Sequence, residues 1–383
     1  MENYYRDCWI DINLDNIKHN INEIKEKCSK DKFFFAVIKG DAYGHGIKQI
    51  SDVVVASKAD GCAVATLDEA MLVKKYHPTL KTLVLGIIPE DYYQVASEKN
   101  IALTIATKEA ALQAARLNYD SELALHIKVN TGMNRIGFAK LSEINEAISI
   151  LSANPKIKIE GIFTHFATAE DYDKEDYLMM QLHRFKEVVT ALDHSFTFIH
   201  CTNSASLMKF HDKIDFTTAN RCGIALYCAL EDKILKQYDI RPAFTLKAKI
   251  TQVQVYAKGM GVGYSLRYTT EKDNEIIATI PLGYADGFAR AHTLSKVKCQ
   301  GQYGTIVGSI CMDQLMIRFD RNVNVNDEVT LIDGYDPEID VFARCKQAQT
   351  ITHEIFTRFG NRVPKMYYQN DKLVAIDNAL LKK

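Results

Sequence analysis

The chain has 383 residues, of which 47% are hydrophobic, and its 47 Lys and Arg residues are balanced by 48 Asp and Glu residues. This composition is typical of a soluble globular protein with one large domain and a smaller one, or with two domains of ordinary size. The formal net charge of −1 gives no electrostatic reason to expect nucleic acid or an anionic membrane surface as a partner.

Between residue 33 and about residue 230, apolar runs of strand length alternate with segments of helical period. Near-continuous apolar strands between amphipathic helices predict parallel strands that are covered by helices. Eight such units fit a closed (β/α)₈ barrel better than an open sheet. The predicted strands are 33–39, 61–66, 82–88, 101–107, 123–130, 159–167, 196–203 and, more weakly, 215–221.

Beyond about residue 240 the pattern changes to short runs with period two, separated by Gly, Asp and Asn turns. This pattern predicts a mainly β second domain with a single helical segment at 339–356. Arg241 lies at a plausible boundary between the two domains. We therefore expect a barrel over residues 1–240 and a β domain over residues 241–383.

Polar residues interrupt the apolar pattern at the ends of several predicted strands. Active sites of (β/α)₈ barrels form at these C-terminal strand ends, so we expect the polar side chains to share one mouth. A lone lysine there usually lies along the rim with its ammonium in water. In a desolvated pocket, a lysine can instead have a lowered pKa and form a Schiff base with an aldehyde. The residues concerned are Lys39, Lys128, Arg135, His165, Asn203, Ser204 and Arg221.

Small residues and a hydroxyl group follow the last two predicted barrel strands, in TNSAS (202–206) and RCGIALY (221–227). Barrels commonly bind a phosphate group after these strands, through free backbone amides. A Schiff-base lysine opposite a phosphate cup describes pyridoxal 5′-phosphate. The sequence therefore predicts a pyridoxal-phosphate site at the barrel mouth.

Nine segments resemble, in chain order, the signature segments of the alanine racemases, which are pyridoxal-phosphate enzymes with a barrel and a β domain. The resemblance spans essentially the whole chain, and the motifs are specific together although each is weak alone. It implies racemisation of L-alanine and D-alanine by two bases, with D-alanine supplied for peptidoglycan. The segments are AVIKGDAYGHG, HIKVNTGMNRIGF, GIFTHFATAE, CTNSAS, RCGIALY, GVGYS, PLGYADGFAR, GSICMDQLM and RVPKMYY.

The resemblance implies a role for individual residues at the matching positions. Lys39 would hold the cofactor and act as one catalytic base, and Tyr264, supplied by a partner subunit, would act as the other. Arg221 would lie against the pyridine nitrogen. The residues implied to contact the cofactor are Lys39, Tyr43, His165, Asn203, Ser204, Arg221, Gly223, Ile224 and His353.

The resemblance also implies a substrate site that is shared between two subunits of a homodimer. Arg135 would bind the substrate carboxylate. Lys128 matches a lysine that often carries a carbamate in this family and braces the substrate-binding arginine. Asn130 departs from the aspartate that is usual there, so the local network is expected to differ. The further substrate-binding residues implied are Tyr284, Cys311, Met312 and Asp313.

The largest departure from the family pattern is His353, which occupies a position where alanine racemases usually have a tyrosine. A histidine is shorter and can leave room for a hydroxymethyl group, so the alternatives are appreciable serine activity and neutral drift.

Three other protein classes fit the sequence less well than a racemase does. A pyridoxal-phosphate decarboxylase normally has an acidic residue where Arg221 stands. A non-catalytic pyridoxal-phosphate protein would need neither a second domain nor Tyr264. A metal-dependent hydrolase would need a grouping such as H-x-H, which the sequence lacks, so we expect no metal.

The N-terminal residues lack a signal-peptide pattern, and no apolar run approaches the ~18 to 20 residues of a membrane span. Nine cysteines occur singly, without a C-x-x-C pair, which argues against a zinc ribbon or a disulfide framework. We therefore expect a cytoplasmic protein with reduced and mostly buried cysteines.

Overall fold

The computed structural model describes residues 4–230 and 232–381, and it contains the eight parallel strands that the sequence predicts. A strand that the sequence did not predict, β1 (Cys8–Asn13), precedes them and lies in another sheet. The parallel strands are β2 (Phe33–Val37), β3 (Gly61–Val64), β4 (Lys81–Val84), β5 (Ile101–Ile105), β6 (Leu123–Lys128), β7 (Ile157–Phe163), β8 (Phe198–His200) and β9 (Ala219–Cys222).

These strands form a closed barrel. Strands β2 to β8 pair in parallel in chain order, and β9 pairs in parallel with β2. The Thr218 amide, just before β9, donates to the carbonyl of Ile199 in β8 at 3.0 Å, which closes the ring. The strands are almost wholly buried, as strands between a filled interior and outer helices must be. The predicted fold class is confirmed.

Helical segments follow the barrel strands, and several begin at side chains that cap their first turn. Thr66 accepts a hydrogen bond from the amide of Glu69, and Thr107 accepts one from Ala110, as N-cap residues do. The helices are α1 (Leu14–Cys28), α2 (Lys39–Tyr43), α3 (Ile47–Val55), α4 (Leu67–Tyr76), α5 (Tyr93–Glu98), α6 (Lys108–Arg116), α7 (Leu141–Ser152), α8 (Glu175–Ala191), α9 (Ser204–Phe210) and α10 (Asp232–Leu235).

The rest of the chain is mainly β. A ten-stranded sheet has the order β11-β14-β17-β16-β15-β18-β10-β1-β19-β20, and β12 pairs with β13 alone. Strand β1 lies between β10 and β19, so the N-terminal strand is part of this second sheet. The strands are β10 (Phe244–Lys249), β11 (Gln252–Tyr256), β12 (Gly261–Val262), β13 (Tyr268–Thr269), β14 (Glu275–Ile280), β15 (Lys296–Cys299), β16 (Gln302–Val307), β17 (Leu315–Phe319), β18 (Glu328–Asp333), β19 (Lys365–Gln369) and β20 (Lys372–Asp377).

The single helical segment predicted at 339–356 is wrong in one respect. The structure has two helices there, α11 (Val341–Ala348) and α12 (Thr352–Thr357). Gln349 has φ 53°, in the left-handed region, which ends α11. The apolar periodicity continues across this break, so the pattern alone did not reveal it. Across the described residues, no helix combines the length and apolar character needed to cross a membrane.

Candidate active site at the barrel mouth

The chain leaves β2 through a left-handed turn that begins at Lys39 and ends at Tyr43. Residues 40–43 all have φ between 52° and 65°. For residues other than glycine this conformation costs about 1–2 kcal/mol each, so it persists only where the surroundings enforce it. Gly44 follows with φ 79°, and a Cβ there would lie 2.2 Å from the carbonyl oxygen of Phe356. The turn is therefore pressed against α12 of the second domain.

Two acidic side chains hold this turn. One carboxylate oxygen of Glu69 accepts hydrogen bonds from the amides of Gly40 at 2.6 Å and of Asp41 at 3.3 Å. The Asp41 carboxylate accepts from the amide of Ile47 at 2.8 Å and from the ammonium of Lys365 at 3.1 Å. Lys365 is the first residue of β19, so the turn is tied to the second sheet.

The turn opens onto a cavity at the C-terminal ends of the barrel strands. Its lining contains all nine residues that the resemblance implies for the cofactor: Lys39, Tyr43, His165, Asn203, Ser204, Arg221, Gly223, Ile224 and His353. Sequence reasoning did not single out the remaining lining residues. These are Val37, Leu85, Glu170 and Thr202. Val37 and Leu85 belong to apolar strand-end runs, which look the same as ordinary core in the sequence.

One wall of the cavity is a cup of hydroxyl groups and backbone amides. The hydroxyl of Ser204 accepts hydrogen bonds from the amides of Gly223 at 3.0 Å and Ala225 at 3.2 Å. A Cβ on Gly223 would lie 2.4 Å from the hydroxyl oxygen of Tyr43, so only glycine permits this approach. Burial raises the pKa of Tyr43, which keeps the phenol protonated and able to donate. Such a donor set suits a phosphate group.

Lys39 and Arg221 line the cavity, and Lys128 and Arg135 lie near them. Burial, with Arg135 and Arg221 nearby, lowers the pKa of Lys39. Burial and the same two arginines lower the pKa of Lys128 to about 7, and its amine donates to the carbonyl of Val129 at 2.9 Å. Arg135 is exposed and lies beside the mouth. Glu170 is the one carboxylate among the described residues that line the cavity, so the basic groups outnumber it, which favours an anionic ligand.

Arg221 is buried at the base of the cavity and donates to three acceptors. Its guanidinium contacts the Nδ1 atom of His200, the carbonyl of Thr164 at 2.8 Å and the Nδ1 atom of His165 at 3.3 Å. A guanidinium can only donate, so both imidazole Nδ1 atoms are acceptors. Burial and then Arg221 hold the pKa of His165 well below its ordinary value, which keeps this ring neutral.

His353, the second residue of α12, lines the cavity from the side of the second domain. Its ring centroid lies 5.7 Å from that of Tyr43. Burial, and then the charge of Lys39, lowers the pKa of His353. The wall of the cavity that α12 contributes therefore contains a neutral imidazole.

The other predicted site residues lie on an exposed surface of the second domain. The side chain of Tyr264 is 73% exposed and that of Met312 is 52% exposed. The amide of Tyr284 donates to the carbonyl of Cys311 at 3.0 Å, so these two segments are adjacent, and Asp313 is also exposed. None of these five residues lines the cavity at the barrel mouth of the same chain.

Buried histidines below the mouth do not form a metal site. Across the parts of the chain that the structure describes, there is no group of three or more His, Cys, Asp or Glu side chains that could hold a metal ion. His126 and His200 instead hydrogen-bond to each other, between His126 Nδ1 and His200 Nε2, at 2.9 Å.

A partly buried amine beside a cup of hydroxyl groups and backbone amides, in a barrel with an appended β sheet, is the arrangement of a two-domain barrel enzyme. Residues 12–231 match the family described as alanine racemase, N-terminal domain, and residues 243–367 match alanine racemase, C-terminal domain. The chain is 36% identical over 384 residues to "Alanine racemase 1" of Bacillus subtilis, a match that covers 99% of this chain and 97% of that protein.

Solved structures of amino-acid racemases are also similar to this protein. The crystal structure of alanine racemase from Bacillus anthracis with bound L-Ala-P has a TM-score of 0.92 and 34% identity, over 99% of each chain. A histidine racemase from Leuconostoc mesenteroides has a TM-score of 0.88 and 28% identity, over 96% of this chain and all of that one. The chain belongs to the alanine racemase family, as its sequence motifs predicted. Its enzyme class is that of the amino-acid racemases, which are isomerases.

Proposed function

We propose that this protein interconverts L-alanine and D-alanine with pyridoxal 5′-phosphate as its cofactor. The observation that carries the proposal is the cavity where Lys39, with its lowered pKa, faces a cup of hydroxyls and amides. The residues fit the cofactor, because the cup suits a phosphate, the amine suits an aldehyde and the basic cluster suits the negative charges. When bound, the cofactor withdraws electrons from the substrate and makes its Cα–H bond more acidic.

The chain's own residues would hold and tune that cofactor. Tyr43 and Ser204 would donate toward the phosphate, together with the backbone amides of Gly223 and Ile224, of which that of Gly223 also donates to the Ser204 hydroxyl. Burial lowers the pKa of Arg221 to about 10, so the guanidinium remains charged near neutral pH and donates a hydrogen bond rather than a proton. A ring that stays unprotonated withdraws electrons less strongly, which favours return of the proton to Cα over transamination.

Racemisation needs a proton removed from one face of Cα and another delivered to the opposite face. Lys39 is the base for the face of D-alanine, since a lowered pKa leaves more of its amine in the neutral form, which can accept a proton, near neutral pH. Tyr264 of the partner subunit is the base for the other face. Its exposure in the single chain leaves it available to enter the barrel mouth of a second copy.

A homodimer follows from this assignment. Arg135 binds the substrate carboxylate at the mouth, while the exposed surface of the partner supplies the remaining substrate contacts. A pKa of about 7 gives Lys128 a large neutral fraction near neutral pH, which is the form that reacts with carbon dioxide to give a carbamate. This carbamate would be an anion near Arg135. The surface contacts are Tyr284, Cys311, Met312 and Asp313.

The wider setting of the reaction follows from its product. We place the enzyme in the cytoplasm, where D-alanine would be supplied for peptidoglycan. The barrel within residues 1–240 binds the cofactor, and the domain over residues 241–383, whose sheet also includes β1, contributes the tyrosine base.

Serine is the second candidate substrate, and the neutral imidazole of His353 in the cavity wall favours it. A shorter side chain than tyrosine leaves space beside the substrate, and a pocket seldom rejects an analogue that merely adds a hydroxyl.

The test is a coupled assay of D-alanine formation from L-alanine by protein reconstituted with pyridoxal phosphate, run in parallel on L-serine. We expect a yellow protein that borohydride bleaches, and D-alanine formation that Lys39→Ala abolishes. A yellow protein that forms neither D-alanine nor D-serine would contradict the proposal.

A further inference from the structure

A chain of hydrogen bonds crosses the barrel interior below Arg221. The guanidinium contacts His200 Nδ1, and His200 Nε2 lies 2.9 Å from His126 Nδ1. His126 Nε2 lies 3.2 Å from a carboxylate oxygen of Glu160, which also forms an ion pair with Lys81. The two imidazoles are fully buried, and Glu160 and Arg221 are 5% and 2% exposed. This series of hydrogen bonds thus links the cavity to Lys81, the first residue of β4.

The chemistry of the two ends fixes the direction of every hydrogen bond between them. Arg221 can only donate, so His200 Nδ1 accepts and the proton of this neutral ring is on Nε2. That proton points at His126 Nδ1, so the proton of His126 is also on Nε2 and is donated to Glu160. A carboxylate can only accept, so no donor opposes a donor anywhere along the chain.

The charges near these rings agree with two neutral imidazoles. Burial is the largest influence lowering the pKa of His200, followed by Arg221, His126 and Lys128. Burial also lowers the pKa of His126, with Lys81 and Arg221 acting in the same direction and Glu160 opposing them.

Glu160 is the anion at the end of this series of hydrogen bonds. Burial acts to raise its pKa, but His126 and Lys81 outweigh burial and hold the pKa below its ordinary value. The carboxylate is therefore ionised near neutral pH.

The series of hydrogen bonds contacts the Arg221 guanidinium at Nη1. Arg221 has no carboxylate in direct contact among the described residues, and its three acceptors are two imidazoles and one carbonyl. The Thr164 carbonyl and His165 both contact Nη2, whereas the His200 contact alone holds Nη1. Hydrogen bonds in series polarise one another in a low-dielectric interior.

We propose that Glu160 is a positioning residue for Arg221, which it orients and partly neutralises through the neutral imidazoles of His126 and His200. No proton moves in this arrangement. The inference rests on the proposed function in one respect, because there Arg221 faces the ring of the cofactor. Its role would be to keep the guanidinium in register with that ring during the proton transfers.

Neutron crystallography of the perdeuterated, cofactor-loaded protein tests the arrangement without reference to activity. We expect a deuteron on Nε2 of both His126 and His200 and none on Nδ1 of either ring. A deuteron on Nδ1 of either histidine would overturn the proposal, since the chain would then no longer run from Arg221 to Glu160.

Kinetics of Glu160→Gln test the positioning role. Glutamine keeps the size and one acceptor oxygen but removes the charge. We expect kcat for L-alanine to fall about tenfold, a size typical when a group that orients a functional side chain is lost. KM should change less than about twofold, because Arg135 rather than Arg221 binds the substrate carboxylate.

Thr104→Val is the matched control. Thr104 is 3% exposed in β5, and its hydroxyl donates to the carbonyl of Val84 at 2.7 Å, outside the chain of hydrogen bonds. This variant should lose stability but keep the wild-type kcat. An unchanged kcat in Glu160→Gln, or an equal loss in both variants, would refute the positioning role. A wild-type protein that racemises nothing would instead refute the proposed function and leave the neutron result to decide the inference.

Discussion

The left-handed turn between Lys39 and Tyr43 should loosen when Asp41 is replaced by alanine. Asp41 caps the amide of Ile47 and pairs with Lys365, and alanine can do neither. Loss of the cap costs about 1 kcal/mol. Loss of the ion pair costs up to about 1 kcal/mol, because the Asp41 side chain is 51% exposed and solvent screens the pair.

A total of about 2 kcal/mol corresponds to roughly a 30-fold change in the opening equilibrium, at 1.36 kcal/mol for each factor of ten. Hydrogen–deuterium exchange measures this opening at the amides of Gly44 and Gly46, which donate to carbonyls within the turn at 2.9 Å. Exchange there should be roughly 30-fold faster in Asp41→Ala than in the wild type.

Asp41→Asn is the control, because asparagine keeps an acceptor oxygen and tolerates the left-handed region. Its exchange should lie between those of the wild type and Asp41→Ala. Unchanged exchange at Gly44 and Gly46 in Asp41→Ala would refute the view that this carboxylate holds the turn.

Three further changes probe the cavity. Gly223→Ala places a Cβ 2.4 Å from the Tyr43 hydroxyl, a clash that costs about 1–3 kcal/mol. Titration should therefore show about tenfold weaker binding of pyridoxal phosphate. An unchanged affinity would contradict the assignment of this cup to the phosphate. A pKa of about 7 makes the neutral fraction of Lys128 rise from about 10% at pH 6 to about 90% at pH 8. A carbamate signal from ¹³C-bicarbonate should therefore grow over this range and be missing in Lys128→Arg, whereas equal signals in both proteins would exclude this site. His353→Tyr should lower the ratio of kcat/KM for L-serine to that for L-alanine about tenfold, and a ratio no lower than in the wild type would remove the serine hypothesis.

The barrel could be predicted because each strand is a short apolar run and each outer helix has its own period, so the information is local. Most strands end before the predicted limits. Strand β2 ends at Val37, for example, because the chain turns left-handed directly after Ile38 and Lys39. Strand β1 was missed because it is stabilised by distant partners, β10 and β19, which no local pattern indicates.

The candidate site divides in the same way. The family resemblance marked the nine cofactor residues, His353 by its departure from the usual tyrosine, and the structure brings them to one cavity. Glu69, Lys365 and Glu160 were missed because their importance comes from contacts between elements distant in the chain. Only Glu69 left a local signal, the Thr66-x-x-Glu69 capping pattern before α4.

Tyr264 shows a further limit of the sequence. The residue pattern alone cannot state which copy of the chain a side chain serves, so the assignment of Tyr264 to a partner subunit came from the family resemblance. The exposure of Tyr264 becomes visible only in three dimensions.

Mixing two inactive variants shows whether the active site takes one base from each of two subunits. Lys39→Ala and Tyr264→Phe should each lose about 10²- to 10⁴-fold in the rate of D-alanine formation. After subunit exchange, half of the dimers carry one intact site, so roughly a quarter of the wild-type activity should return. A mixture that stays inactive, although both variants fold and exchange subunits, would contradict a site shared between two chains.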